Sequence, residues 1–303
     1  MSEFDVVTGA FGYTGKYIAR RLLAQGHRVR TLTGHPDHAN SFSAQVEVAP
    51  FNFQNPAALA KSLEGAGTLY NTYWVRFSHG KVGFNEAVAN TRTLIRAARE
   101  AGVQKITHIS ISNPSENSPL PYFHGKAILE KEIIQSGLHH AIIRPTVIFG
   151  REDILINNIA WFVRHFPVFA VPGSGKYRLQ PVFVEDVAEI AVNAAAQEQN
   201  AVLDAVGPEV YTFDELINLI AKVLRRSVTL VHLNPSIALL SSKLVGLFVH
   251  DVILTRDEVA GLMANLLISS EPPRGQTRLS EWIEQNANHL GAQYASELKR
   301  HFR

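Results

Sequence analysis

Three glycines spaced three residues apart follow the first strand-like run of the chain. Residues 9–15 read GAFGYTG, between the apolar run 5–8 and a helix-forming stretch over 14–25. Glycine permits the positive φ of a tight turn, and its missing side chain lets a helix pack closely on a strand. The segment therefore predicts a strand, a turn and a helix whose first N–H groups have no helical acceptor, which is a favourable place for a phosphate.

Strand-like and helix-like stretches alternate along the rest of the first half. Strands are predicted over 28–32, 68–72, 105–110 and 140–144, and helices over 56–63, 85–101 and 126–136. Gly26, Gly102 and Gly137 each follow a helical run, where a left-handed residue commonly ends a helix. This alternation predicts an α/β fold with a Rossmann-type doubly wound parallel sheet.

The regular alternation ends near residue 150, which suggests two parts. We expect residues 1–150 to form the Rossmann core, with 181–206 returning to it. Residues 151–180 and 207–303 are expected to form a smaller, mostly helical cap that binds the substrate. An apolar stretch over 237–249 is too short for the ~20 residues of a membrane span, so we predict a buried or lid helix and no integral membrane segment.

Composition narrows the classes of partner and site. The 29 lysines and arginines nearly balance 27 acidic residues, so nucleic acid is not expected as a partner. Cysteine is absent and the 13 histidines lack metal-ligand spacing, so neither a thiolate nucleophile nor a metal site is expected. Because the chain begins without a signal-peptide pattern, the expected location is the cytoplasm.

Four segments of the first half together resemble one family. They are 9–15 (GAFGYTG), 122–126 (YFHGK) with Glu130, 144–150 (RPTVIFG) and 181–188 (PVFVEDVA). In these motifs the chain is similar to the extended and atypical short-chain dehydrogenases/reductases, which include sugar-nucleotide epimerases and dehydratases and NmrA-like proteins. The resemblance implies that a nicotinamide dinucleotide binds along the glycine turn. The contacts predicted there are Gly9, Phe11, Gly12, Tyr13, Thr14 and Gly15.

Further cofactor contacts are expected where other strands end. The second strand ends in LTGH at 32–35, without the acidic residue that commonly selects NAD. With Arg30 and His35 nearby, NADP is slightly favoured over NAD. In the resembling family the adenine contacts follow the third strand, which corresponds here to Asn52 and Phe53. The full set predicted outside the turn is Thr33, His35, Asn52, Phe53, Asn71, Lys126 and Pro145.

Tyr122 and Lys126 are the candidate catalytic pair. They lie one helical turn apart, and a cation beside a phenol favours the ionised form and brings proton transfer closer to neutral pH. In the resembling family the tyrosine is the acid/base, the lysine also holds the nicotinamide ribose, and a serine beyond the preceding strand binds the substrate oxygen. Ser112 takes that serine position, with Ser110 as the second choice.

These features favour an NAD(P)-dependent oxidoreductase that acts on a small organic substrate through a Tyr122/Lys126 proton relay. Two alternatives stay open: an epimerase or dehydratase that retains NAD, and a regulator or assembly protein that binds NAD(P) without turnover. Tyr73 and Trp74 stand where the family usually has small residues, so the pocket is expected to differ from a sugar-nucleotide site. The sequence names no substrate, and it leaves room for a homodimer.

Overall fold

A computed structural model describes residues 4–34, 42, 45–77 and 83–298. The chain divides into two compact units. The first contains Met1–Pro145 and Val184–Ala205, and the second contains Thr146–Phe183 and Val206–Arg303. The chain thus leaves the first unit at Pro145, five residues before the boundary expected from the sequence, and returns at Val184.

The described residues form strands and helices with the following bounds. The strands are β1 (Phe4–Thr8), β2 (Val29–Thr33), β3 (Val46–Pro50), β4 (Ala66–Asn71), β5 (Lys105–Ile109), β6 (His139–Pro145), β7 (Ile148–Phe149), β8 (Val168–Pro172), β9 (Arg178–Leu179), β10 (Val182–Phe183), β11 (Ala201–Ala205), β12 (Tyr211–Thr212) and β13 (Thr229–Leu233). The helices are α1 (Tyr13–Ala24), α2 (Pro56–Leu63), α3 (Phe84–Glu100), α4 (Pro121–Gln135), α5 (Leu155–His165), α6 (Val184–Ala196), α7 (Phe213–Val223), α8 (Pro235–Val249), α9 (Arg256–Met263) and α10 (Leu279–Asn286).

The first unit is built on a seven-stranded parallel sheet in the order β11-β6-β5-β4-β1-β2-β3. The strand order reverses between β1 and β4, so the carboxyl ends of these two neighbours open the crevice where such sheets bind ligands. Helix α1 packs against α6, and α3 packs against α2 and α4. The predicted doubly wound α/β fold is confirmed.

Continuous apolar runs explain why the central strands lie in the middle of this sheet. Val6, Leu69 and Ile106, on three adjacent strands, are fully buried in one cluster with side chains from α2 and α3. Gly26, Gly102 and Gly137 have positive φ values of 83°, 71° and 81° at the ends of α1, α3 and α4. The left-handed helix ends expected from the sequence are therefore present, and each one turns the chain back toward the sheet.

The second unit contains helices and three two-stranded sheets. The sheets pair β7 with β10, β8 with β13 and β9 with β12. Its core joins Phe149, Ile159, Ile217 and Ile283, with Trp282 at one side. Helix α7 begins with a capping box in which Thr212 and Glu215 satisfy each other's backbone N–H groups.

Helix α8 corrects one expectation from the sequence. The apolar stretch 237–249 is helical, but only Ala238 and Gly246 of α8 are buried. Five of its large apolar side chains are exposed, so of the two alternatives predicted, a buried helix or a lid helix, the buried helix is excluded. Within the part of the chain that the structure describes, no helix has the length and apolar character needed to cross a membrane.

Candidate functional site

The glycine turn joins β1 to α1 through a backbone arrangement that side chains would prevent. Gly9 has a φ of +64°, and the N–H of Gly12 donates to the Gly9 carbonyl over 2.8 Å. A Cβ at Gly15 would collide with the same carbonyl oxygen, and one at Gly12 would lie 3.2 Å from it. Gly9 and Gly15 are thus required by the conformation and by close packing, respectively.

The start of α1 has the features of an anion-binding site. Its N-cap, Gly12, offers no side-chain acceptor, and the first turn contains no acidic residue. The N–H of Ala10 donates to Thr31 Oγ1 over 3.0 Å, and the Thr31 hydroxyl in turn donates to the Val7 carbonyl over 3.0 Å. These bonds fasten the turn to β2 and leave the positive end of the α1 dipole facing outward. A dinucleotide pyrophosphate fits this glycine cradle.

Aromatic residues collect at the carboxyl ends of β3 and β4, beside the predicted adenine contacts. Phe53 stacks on Phe51 with 4.8 Å between ring centroids, and both rings lie 5.1 Å from Tyr73. The Tyr73 hydroxyl accepts from Asn90 Nδ2 over 2.9 Å, and burial raises the pKa of this phenol. Asn52 lies beside Phe51 and Phe53 with a φ of 48°. The phenylalanine rings are nearly parallel, at 15° to each other, and Tyr73 is inclined to them by 62° and 51°, so the three form an angled apolar cluster at the predicted adenine contacts.

The end of β2 carries fewer polar contacts than the sequence suggested. Thr33 is buried where β2 ends, and His35 lies outside the described residues. Arg30 binds Glu47 over 2.9 Å and the Ser62 carbonyl over 2.7 Å, and its guanidinium lies 4.0 Å from the Phe4 ring centroid. Because these partners occupy Arg30 in the middle of β2, the suggestion that it favours a 2′-phosphate is corrected.

Asn71 binds neighbouring strands instead of facing outward. Its Oδ1 accepts from the Thr8 hydroxyl over 3.2 Å and from the Tyr73 N–H over 3.1 Å. Its Nδ2 lies 3.0 Å from His108 Nδ1. Both ends of the fully buried amide therefore have partners within the protein, and these bonds tie the end of β4 to β1 and β5, while the cofactor contact of Asn71 stays a prediction.

Tyr122 and Lys126 lie on the first two turns of α4, at the ends of β5 and β6. Lys126 is 2% exposed, and its ammonium donates to the Ile109 carbonyl over 2.7 Å. Burial lowers the pKa of Lys126 to about 7, although the charge of Glu130 opposes the shift. The lysine is therefore poised to change its protonation near neutral pH.

The two predicted serines follow β5, the strand whose Ile109 carbonyl binds Lys126. The N–H of Ser112, which is fully buried, donates to the carbonyl of Pro145 at the end of β6 over 2.9 Å. The hydroxyl of Ser110 donates to Glu130 over 2.5 Å. Glu130 also binds Arg144 through paired contacts of 3.0 and 2.5 Å. Ser110, the second choice for the substrate serine, thus belongs to a buried ionic network.

Trp74 covers the lysine and was not assigned a site role from the sequence. Its ring centroid lies 4.5 Å from the Lys126 ammonium nitrogen, and the Tyr122 ring meets it edge-on at 5.6 Å. A Cβ at Gly125 would lie 2.9 Å from the indole, so this glycine makes room for the ring on α4. The Trp74 indole nitrogen is buried and has no hydrogen-bond partner among the described residues.

His108 is a second residue that the sequence did not indicate. It is fully buried on β5, and burial together with the charge of Lys126 holds its pKa well below the usual range. Its Nδ1 faces Asn71, whereas its Nε2 has no partner in the described part of the chain. A histidine between Thr107 and Ile109 within a fully buried strand is the only signal that the sequence offers for it. Among the described residues, no group of acidic and histidine side chains could hold a metal ion.

Similar proteins were found by sequence. Mouse NADH dehydrogenase (ubiquinone) 1 alpha subcomplex subunit 9, mitochondrial, is 26% identical over 277 residues, covering 88% of this chain and 73% of that protein. The Arabidopsis thaliana protein of the same name is 25% identical over 231 residues, covering 72% of this chain. This match spans only 57% of the plant protein's length.

The fold is that of NAD(P)-binding oxidoreductases and epimerases. The structure of the NADPH-dependent quinone oxidoreductase QOR2 from Escherichia coli, complexed with NADPH, matches with a TM-score of 0.77 at 22% identity. The match covers 94% of this chain and 100% of that one. The model of the NmrA-like family matches residues 4–284. With nearly the whole described chain inside that match, the protein belongs to the NmrA-like family.

Proposed function

We propose that this protein is an NAD(P)-dependent oxidoreductase that acts on a small organic substrate. The observation that carries the proposal is that the glycine cradle and the Tyr122/Lys126 pair share one edge of the sheet. The cradle follows β1, and Lys126 binds the carbonyl of Ile109 at the end of β5. Only β4 separates these strands, so the two parts are about 10 Å apart across the sheet at ~4.8 Å per strand. An extended dinucleotide spans that distance.

Each part has a defined task in this proposal. The start of α1 holds the pyrophosphate, the aromatic surface of Phe51, Phe53 and Tyr73 receives the adenine, and Lys126 holds the nicotinamide ribose. A bound nicotinamide supplies the hydride donor or acceptor. Tyr122 gives a proton to the substrate oxygen or takes one from it, while a positive charge on Lys126 favours the phenolate. The Ser112 hydroxyl orients that oxygen.

Titration and turnover assays test this proposal. NADH and NADPH are titrated separately, and the expected result is saturable binding of at least one of them. A panel of quinones, ketones and aldehydes is then screened for loss of reduced-nicotinamide absorbance. The variant Tyr122→Phe keeps the ring that packs on Trp74 and lacks the hydroxyl. It should bind cofactor like the parent and lose most of the turnover; unchanged turnover would exclude the proton relay.

A second function is favoured by one observation, the indole of Trp74 over the Lys126 ammonium. A protein that binds NAD(P) without turnover needs the cradle but does not need a lysine that a substrate can reach. The mammalian and plant relatives are named as subunits of a larger enzyme, which agrees with such a role. In this case the cofactor binds but no substrate of the panel oxidises it. Purification with firmly bound NAD and no net redox change would instead indicate the epimerase alternative.

A further inference from the structure

Helix α8 presents its large apolar side chains to solvent. Leu247 is 73% exposed and Phe248 is 85% exposed, and three more large apolar residues of the helix are exposed by more than half. The five are Ile237, Leu240, Leu244, Leu247 and Phe248. Ile237, Leu240, Leu244 and Leu247 are spaced by three or four residues and Phe248 by four from Leu244, which places the five along one side of the helix; we call this row the α8 stripe.

The opposite side of α8 packs on its own unit. Ala238 and Gly246 are its buried positions, and a Cβ at Gly246 would lie 2.7 Å from the carbonyl oxygen of Asp251. Leu239, Val245 and Val249 on the same side are partly buried. Helix α7 has the usual arrangement, because it buries Leu216, Ile217 and Ile220. The α8 stripe is thus not part of the core of its unit.

The charge on α8 itself has one sign. Lys243 is exposed, and it lies three residues after Leu240 and four before Leu247, so it borders the stripe on the helix surface. Helix α8 contains no aspartate or glutamate. The acidic residue that follows it, Asp251, is buried and accepts from the N–H groups of Glu297 and Leu298 over 2.9 and 3.0 Å. The face therefore offers apolar side chains and a cation.

We propose that α8 docks onto the surface of an anionic lipid membrane. A helix with one apolar side and a lysine at its border matches the boundary between acyl chains and acidic headgroups. At 15 residues the helix is about 22 Å long, which is too short to cross a hydrocarbon core of ~30 Å but sufficient to lie along it. Five large side chains from one helix are far fewer than the ~20–30 residues that each partner gives to a stable protein interface, which argues against a second copy.

Vesicle binding by the full chain tests this docking. Flotation is measured with phosphatidylcholine vesicles alone and with vesicles containing phosphatidylglycerol. We expect binding to the anionic vesicles at low salt, about 10-fold weaker for the double variant Leu247→Ser/Phe248→Ser and weaker for Lys243→Glu. The matched control is Ile134→Ser on α4, which changes an exposed apolar residue of the other unit and should leave binding unchanged.

A single-site fluorescent label gives an independent measurement. Because the chain has no cysteine, Leu244→Cys carries an environment-sensitive dye at one position of the stripe, and Lys222→Cys on α7 serves as the control. We expect a blue shift with anionic vesicles for the label at 244 only. The proposal is overturned if the full chain binds neither kind of vesicle, or if the parent and the double variant bind the anionic vesicles equally. A concentration-dependent dimer that the double variant abolishes would also overturn it and assign the stripe to a second copy.

Discussion

The two ends of the proposed cofactor site are built in different ways. The glycine cradle is formed by backbone atoms, and its conformation requires that Gly9 and Gly15 have no side chains. At the Tyr122/Lys126 end, large side chains from the end of β4 and from α4 come together, and the indole of Trp74 lies over the lysine. The comparison shows a cradle made by backbone and a reactive end that is covered by a side chain. The cradle therefore supports cofactor binding directly, whereas turnover depends on whether the Trp74 indole gives the nicotinamide access to Lys126.

The largest effect is expected from Gly15→Val in the cradle. Its side chain would collide with the Gly9 carbonyl and force β1 and α1 apart, so the phosphate site should be lost. We expect cofactor affinity to fall at least about 100-fold, equal to ~2.7 kcal/mol. Titration of NADH or NADPH by fluorescence checks this.

A glycine without close neighbours provides the control for that variant. Gly102 has a φ of 71°, but a Cβ there would meet nothing within 4 Å. Gly102→Ala should lower the free energy of unfolding by ~1 kcal/mol and leave cofactor affinity unchanged. If Gly15→Val bound cofactor as tightly as Gly102→Ala does, the cradle would not be the phosphate site.

The second prediction concerns Lys126 at the covered end. Lys126→Met removes the group proposed to hold the ribose, so we expect about 10-fold weaker cofactor binding, as for loss of a charged hydrogen bond of ~1.5 kcal/mol. The variant should also change the pH dependence of stability. Folding lowers the pKa of Lys126 from 10.5 to about 7, so between these values the unfolded chain binds more protons.

That difference fixes the sign of the stability change. The free energy of unfolding should gain a positive slope from Lys126 between about pH 7 and 10.5, and lose it below pH 7, where both states hold the proton. Urea unfolding at pH 7, 8 and 9 measures the slope in the parent and in Lys126→Met. Equal slopes in the two proteins would mean that the lysine is not buried in its neutral form.

Trp74→Ala tests what the indole does at the covered end. If the indole competes with the cofactor for Lys126, its removal should raise cofactor affinity by about 3–5-fold, or ~1 kcal/mol. It should also lower stability, by less than the ~3–5 kcal/mol of a fully buried aromatic residue, because Trp74 is half-buried. Trp74→Phe keeps an aromatic ring and is the control. An affinity that falls in both variants would show that the indole is part of the binding surface.

The sequence predicted the backbone-built cradle better than the side-chain contacts of the covered end. The fold and the glycine turn depend on local patterns, the alternation of strands with helices and the positions of glycines, and both can be read along the chain. Asn71 and Arg30 could not be interpreted in this way, because their partners lie up to 63 and 32 residues away along the chain, respectively. The same holds for Trp74, because its indole contacts Gly125 only when α4 packs beside the end of β4. Helix α8 was predicted as a helix, but an apolar sequence does not tell which side faces solvent.

The smallest effect is expected from Thr31→Val. Thr31 lies on β2 and supports the glycine cradle from that neighbouring strand. The Thr31 hydroxyl accepts from the Ala10 N–H over 3.0 Å, and valine has the same shape without that acceptor. The buried N–H of Ala10 then loses its partner, at a cost of ~1–2 kcal/mol in unfolding free energy. Cofactor affinity should fall only about 2–3-fold, because the turn keeps its glycines and the start of α1 is unchanged. Thr31→Ser restores the hydroxyl and should restore affinity. Equal affinity in the serine and valine variants would show that the three glycines alone fix the cradle, without support from β2.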